Sequence, residues 1–249
     1  MKKALITGAS SGIGEEIAKI LSEKGYETVL VARRTERLEA LSAALPSKSE
    51  VYTADLSDMD EVRALFEKHQ DIDILINNAG FGVYGDFCET DFDRESQMID
   101  VNIRALHYLM KAYIPVFEKR HGGKILNVAS SAAFFPGPLL SSYYASKAYV
   151  LRLSTAVREE IRRRKSPVTI TSLCPGPVET EFGQLSGSNL GKRTISPVYV
   201  AKLAVDAMMK GKAVVVPTFT MKMTRFLSKL LPESISVRVV YILQKSKRK

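Results

Sequence analysis

With 249 residues, of which 45% are hydrophobic and 25% charged, the chain suits one large α/β domain or two small ones and can bury a core without staples. Its formal net charge of +9 is concentrated at one end: from Lys212 to Lys249 nine Lys or Arg face only Glu233, which leaves +8 there and a nearly neutral body, and excludes a basic nucleic-acid groove across the whole fold. Cys88, Cys174 and three isolated histidines have no metal-site spacing, no secretory signal is expected after Met1-Lys2-Lys3, and no run reaches the roughly 18 apolar residues of a membrane span, so a cytoplasmic protein with free thiols and no metal is expected.

Ala4-Leu5-Ile6 is a short apolar run of the kind a doubly buried strand shows, and Ile13, Ile17, Ile20 and Leu21 recur at helical spacing through Glu15 to Lys24. Between them Thr7 to Gly14, TGASSGIG, joins a strand to a helix. Gly8, Gly12 and Gly14 clear side chains from a tight turn, let a ligand approach the backbone and open a helix whose free N–H groups attract phosphate. The spacing is not G-x-G-x-x-G and no Lys-Ser/Thr pair follows, so a dinucleotide or nucleotide is expected rather than a P-loop triphosphate; a plain Gly-rich turn is the alternative.

Thr28 to Ala32 reads as a second strand, followed at once by Arg33-Arg34. Thr35 to Ala44 is a helix, with Thr35 as candidate N-cap and Leu38, Leu41 and Leu45 on one face before Pro46. Val51 to Ala54 is a third strand, followed by Asp55-Leu56 and a helix from Asp58 to Lys68. Ile72 to Ile76 is a fourth strand running into Asn77-Asn78-Ala79-Gly80, and Phe92 to Glu118 is a long helical region that Pro115 would kink or end. Lys124 to Val128, Val168 to Cys174 and Ala213 to Val216 supply three more strands, with helices over Tyr143 to Arg163 and Pro197 to Met209 between them. This alternation predicts one doubly wound α/β (Rossmann) domain with a parallel sheet of about seven strands and ligands at the strands' carboxyl ends. Residues 1–217 form the dinucleotide-binding and catalytic part, and 218–249 a basic amphipathic extension of the same domain.

In such sites an acidic residue at the end of the second strand binds a ribose 2′-hydroxyl, whereas arginine accommodates a 2′-phosphate. Arg33 and Arg34 occupy that place, which predicts NADP(H) over NAD(H); pairing with Glu36 or Glu39 on the surface is the alternative. Tyr143 and Lys147, four apart at a helix start, lie on one face, and a neighbouring ammonium would lower the phenol's pKa for acid–base work. Tyr144 has Ala148 at the matching place and is expected to pack. Asn127-Val128-Ala129-Ser130-Ser131 leaves the fifth strand where ligands bind, and a serine hydroxyl there could donate to a developing oxyanion or cap a turn.

The combination of TGASSGIG, Asn77-Asn78-Ala79-Gly80, a strand-end serine thirteen residues before the tyrosine of Y-x-A-S-K, and Pro175-Gly176-Pro177-Val178-x-Thr180 resembles the short-chain dehydrogenase/reductase family over residues 1 to about 216. The resemblance implies an oxidoreductase moving hydride between NADP(H) and a carbonyl or alcohol. Tyr143 would be the proton donor, Lys147 would tune it and hold the nicotinamide ribose, Ser130 would polarise the carbonyl, and Asn102 would hold a water in a proton relay. The cofactor would lie on Gly8, Ser10, Ser11, Gly12, Ile13 and Gly14, with Arg33 and Arg34 on the 2′-phosphate, Asp55 and Leu56 on adenine, Asn78, Ala79 and Gly80 behind the ribose, and Pro175, Gly176, Val178 and Thr180 near the carboxamide. A homodimer or homotetramer built through the long helices is implied in the same way.

Phe81, Val83, Tyr84 and Phe87, with Phe134, Phe135, Pro136, Leu139 and Leu140, could line an apolar pocket, and Gly183 to Ser196 reads as a lid. A lipophilic ketone, aldehyde or keto-acyl substrate fits. In the tail, Phe219, Met223, Phe226, Leu227, Leu230 and Leu231 fall on one helical face, with Lys222, Arg225 and Lys229 off it. Packing over the cleft or a partner subunit is expected, and peripheral contact with an anionic membrane surface is the alternative. A binding protein that senses NADP(H) and meets a membrane or another partner through its basic tail is the competing function.

Overall fold

The computed structural model describes residues 2–187 and 194–246. Among them seven parallel strands form one sheet: β1 (Lys3–Thr7), β2 (Glu27–Ala32), β3 (Ser49–Thr53), β4 (Ile74–Asn77), β5 (Gly123–Val128), β6 (Val168–Leu173) and β7 (Val214–Val215), in the order β3-β2-β1-β4-β5-β6-β7. The chain builds outward from β1 to β3, then returns to pair β4 with β1 and builds the other way. That reversal opens a crevice at the carboxyl ends of β1 and β4, where an open α/β sheet takes its ligand.

The period-two alternation of strand side chains divides the core into two layers. Leu5, Val29, Leu75, Ile125 and Ile170 face α3 (Met59–Lys68), α5 (Leu106–Lys119) and α6 (Ser141–Arg163). Ile6, Leu30, Ile76, Leu126 and Leu173 face α1 (Gly12–Glu23), α2 (Thr35–Ala44) and α8 (Pro197–Met209). Each fully buried leucine or isoleucine contributes about 1.5–3 kcal/mol relative to exposure, so the sheet is held from both sides.

Three local departures from the sequence reading matter for the site. Thr35 is the first helical residue of α2 rather than its cap, and its hydroxyl pairs instead with Thr53 Oγ1 at 2.8 Å. Pro115 lies inside α5 without ending it. The long helical region is interrupted earlier, between α4 (Phe92–Ile99) and α5, by a π-helical segment from Asp100 to Ala105 centred on Asn102. Such wide turns are frequent at functional sites, and the cause here is local: Asn102 turns inward and bonds another loop's backbone.

The tail forms α9 (Phe219–Leu227) and α10 (Glu233–Lys245). No residue of α9 is buried, and in α10 the buried residues are Ser236 and Gln244, while Ile235, Val239, Ile242 and Leu243 are exposed. The apolar stripe therefore does not pack over the cleft but faces outward on this chain, and α10 turns two polar residues in. Met221 of α9 lies against Gly176, where an added Cβ would fall on its methyl group, and Arg225 stacks over the Phe134 ring at 5.9 Å.

Candidate active site

A cleft of about 390 Å³ runs along the carboxyl ends of the strands, within the usual range of roughly 300–1,000 Å³ for small-molecule sites. Its glycine loop is shaped by backbone geometry. Gly8 and Gly12 have φ of 66° and 60°, values that L side chains rarely adopt, and a Cβ on Gly14 would lie 2.3 Å from the Gly8 carbonyl oxygen. Thr7 fastens this loop to the next strand end: its hydroxyl donates to Ile76 O at 3.1 Å and accepts from the N–H groups of Asn78 and Ala79 at 3.0 and 3.1 Å. Asn78 Nδ2 closes the cradle by donating to Thr7 O and Gly8 O.

At the β2 end, Arg34 donates to Ser10 and Ser11 hydroxyls, each at 3.0 Å from Nη2, and Arg33 lies 3.7 Å from Asp55. The arginines thus face the glycine loop and the cleft, with Asp55 and Leu56 beside them, and do not pair with Glu36 or Glu39. Glu181 holds Arg34 at 2.7 Å and Arg37 at 2.5 Å from the far side of the cleft.

At the other end β5 and α6 bring Ser130, Tyr143 and Lys147 together. Ser130 Oγ accepts from Ala132 N at 3.1 Å and donates to Pro175 O at 3.5 Å, so the hydroxyl starts the short helical turn Ser131–Phe134 and lines the cleft with Tyr143. Lys147 Nζ donates to Val128 O at 3.0 Å and sits 5.9 Å from the centre of the Tyr143 ring. The expected lowering of the phenol by the ammonium is not what this arrangement produces. Burial dominates and pushes the Tyr143 phenol up to about 12, with the nearby Ser130 hydroxyl acting in the opposite sense, and burial lowers Lys147 to about 8. Near neutral pH the pair is therefore a phenol beside an ammonium.

Asn102 Nδ2 donates to Phe81 O at 2.9 Å and Ser146 Oγ at 3.0 Å, and its Oδ1 accepts from Phe81 N at 3.1 Å. These bonds place Gly80 over the cleft next to Lys147: a Cβ on Gly80 would lie 2.7 Å from Asn102 Oδ1 and 3.1 Å from Lys147 Nζ. Ile13, Ala79, Pro175, Gly176, Val178 and Thr180 also line the cleft, and Thr180 closes over Gly12.

Of the residues expected to form an apolar pocket, Phe81 and Leu140 line the cleft, whereas Phe87 is 66% exposed. Of the expected lid, Phe182–Ser186 forms the short helix α7 and Gly187 follows at φ 75°; Gly191 and its neighbours lie outside the described residues. Four cleft residues escaped the sequence reading. Tyr144, expected to pack, lines the cleft and accepts a hydrogen bond from Gln244 Nε2 of α10; Phe182 lies with its ring 5.1 Å from that of Tyr143; Glu181 meets the arginines. Glu181 and Phe182 follow Thr180 directly and could have been suspected, but nothing in the sequence ties Gln244 to Tyr144 across a hundred residues.

The donor set fits a phosphorylated dinucleotide: a side-chain-free loop at a helix start, two guanidiniums at the β2 end, and hydroxyl, phenol and ammonium groups at the other. Residues 2–190 match the short chain dehydrogenase family. An uncharacterized oxidoreductase of Staphylococcus epidermidis is 35% identical over 196 residues, 77% of this chain and 84% of the relative. A short-chain dehydrogenase from Sphingobium yanoikuyae, solved in complex with NADPH, superposes with a TM-score of 0.84 at 28% identity, covering 92% of this chain and 93% of that one. A short chain dehydrogenase/reductase from Burkholderia phymatum, solved in complex with NAD, shares the fold with a TM-score of 0.82 at 22% identity, covering 91% of this chain and 92% of that one.

Proposed function

The chain belongs to the short-chain dehydrogenase family of oxidoreductases, and on that premise we propose that it is an NADPH-dependent reductase of a lipophilic ketone, aldehyde or keto-acyl group, working in reverse on the alcohol. The observation that carries this reading is the convergence of buried Ser130, Tyr143 and Lys147 at one end of a cleft whose other end is Arg33, Arg34 and the glycine loop.

When bound, the reduced nicotinamide supplies the hydride. The protein's part is to receive the carbonyl oxygen and give it a proton. Ser130 Oγ donates a hydrogen bond to that oxygen and stabilises charge as it develops. Tyr143, a neutral phenol at working pH, is the acid: its O–H proton passes to the oxygen, leaving a phenolate in a buried place. The Lys147 ammonium beside the ring makes that phenolate tolerable, because an opposite charge nearby favours the ionised form. Lys147, anchored on Val128 O, would hold the ribose hydroxyls. Asn102 fixes the Gly80–Phe81 turn beside Lys147; its amide is engaged by backbone and Ser146, so it acts on the relay by position.

Arg33 and Arg34 underlie the preference for NADP(H): a 2′-phosphate offers them an anion that a 2′-hydroxyl does not. Phe81, Leu140 and Phe182 around Tyr143 favour an apolar substituent on the substrate, and Tyr144 and Gln244 add one polar edge. Residues 218–249 act as an extension of the catalytic domain, since α10 contributes Gln244 to the cleft wall. Among the described residues no helix is long and apolar enough to cross a membrane. The outward apolar face of α9 and α10, flanked by Lys222, Arg225, Lys229 and Arg238, supports peripheral contact with an anionic membrane surface in a cytoplasmic protein, as it would support burial in a homodimer or homotetramer.

The deciding experiment is Tyr143→Phe, assayed on a panel of lipophilic carbonyls at the NADPH absorbance band. Turnover should vanish while NADPH binding is kept. Carbonyl reduction by the variant at the wild-type rate would overturn the assignment.

A further inference from the structure

Arg34 and Arg37, three apart at the start of α2, close on a single carboxylate from the opposite wall of the cleft. Arg34 Nη1 donates to Glu181 Oε2 at 2.7 Å and Arg37 Nη1 to Oε1 at 2.5 Å. The remaining guanidinium nitrogens of Arg34 reach Ser10 and Ser11 on the glycine loop. One anion, two guanidiniums and two loop hydroxyls thus form a closed set, with the carboxyl held below its usual range by its bonds to Arg34 and Arg37. Two oxygens, each on its own guanidinium, is also how arginines hold a phosphate ester, whose planar recognition they share with carboxylates.

We infer that Glu181 is an internal competitor for the 2′-phosphate of NADP(H): its carboxylate fills an anion clamp made by Arg34 and Arg37, and the cofactor's phosphate takes its place. This rests on the NADP(H) reading of the β2 end. It adds Arg37 to the phosphate ligands and gives Glu181 a specificity role, because a cofactor without the 2′-phosphate leaves the pair intact. The exchange also reaches the substrate side. Glu181 immediately precedes α7, whose Phe182 ring lies against Tyr143, and Tyr84 N donates to Ser186 O at the far end of that helix. Release of the carboxylate removes the tie between α7 and α2 while leaving the tie to Tyr84, so filling the phosphate site loosens the segment that covers the catalytic tyrosine.

The test is calorimetric titration of full-length wild type, Glu181→Gln and Arg37→Gln with 2′,5′-ADP and with 5′-AMP, which differ in the phosphate at issue. The three side chains are about 31–50% exposed, so the competition is modest, and Glu181→Gln should tighten 2′,5′-ADP by about fivefold. It should leave 5′-AMP unchanged. Arg37→Gln should weaken 2′,5′-ADP and not 5′-AMP, and in wild type 2′,5′-ADP alone should speed amide exchange in α7. A Glu181→Gln variant that binds 2′,5′-ADP no better than wild type, or gains equally for both nucleotides, overturns the inference; an unaffected Arg37→Gln overturns the two-arginine clamp. Wild type binding both nucleotides equally would instead refute the NADP(H) reading itself.

Discussion

Replacing Asn102 with alanine deletes three hydrogen bonds at once, and the structure says what each loss costs. The Phe81 N–H and C=O both pair with this amide and both are buried, so the substitution leaves a donor and an acceptor without partners. An orphaned buried group costs about 1–3 kcal/mol, whereas Ser146 keeps its bond to Tyr143 O and loses little. We expect Asn102→Ala to lower the free energy of unfolding by about 3 kcal/mol, or about 6–12 °C in melting temperature for a domain of this size. Equilibrium unfolding in urea would show a shifted midpoint at unchanged slope. Carbonyl reduction should fall further than stability alone explains, because the Gly80–Phe81 turn forms the wall beside Lys147. A stability loss under about 1 kcal/mol would refute the reasoning: the amide would then not be what holds the turn, and the π segment would need another cause.

The buried pair gives the stability curve a definite shape. Burial holds Lys147 at about 8 when folded, below its unfolded value near 10.4, so between those values the unfolded chain binds the extra proton and stability rises with pH. Tyr143, raised to about 12, works the other way: stability it contributes below about pH 10 is lost as pH climbs further. Urea midpoints of wild type and Lys147→Met should therefore differ most near pH 7, with the variant more stable, and converge towards pH 10; a constant gap refutes the buried ammonium. Gly14→Ala places its Cβ 2.3 Å from Gly8 O and 2.4 Å from Asn78 Nδ2, an overpacking that costs about 1–3 kcal/mol and should abolish binding of 2′,5′-ADP in calorimetry. For the tail, Phe226→Glu with Ile242→Glu, both side chains exposed, should leave melting temperature unchanged and reduce sedimentation with anionic liposomes; equal pelleting removes the membrane reading.

The sheet and the two ends of the cleft were legible in the sequence because they depend on short-range pattern. Strand runs such as Leu75-Ile76 and the helical spacing of Ile17 and Leu21 name their own environment, and the glycine loop, Arg33-Arg34 and Tyr143-x-x-x-Lys147 each declare chemistry within a few residues. What was not legible depends on distance or on burial. The break at Asn102 looked like uninterrupted helix, since a π turn has no composition of its own and the obvious breaker, Pro115, is accommodated. The direction of the Tyr143 pKa shift is opposite to the expectation because proximity is visible in sequence and desolvation is not. In the tail the periodicity was legible but the surface it meets was not: the stripe is real, and on this chain it faces outward and not over the cleft.

Gln244 carries one more consequence. The cleft takes its early residues from positions 8–13 and its late one from position 244, so the glycine loop is synthesised long before the wall beside Tyr144 can exist. Cofactor contacts assembled from the first two hundred residues can form earlier. In the order of synthesis, the nucleotide end of the cleft is therefore available first, and the substrate end is closed off only after α10 has been made.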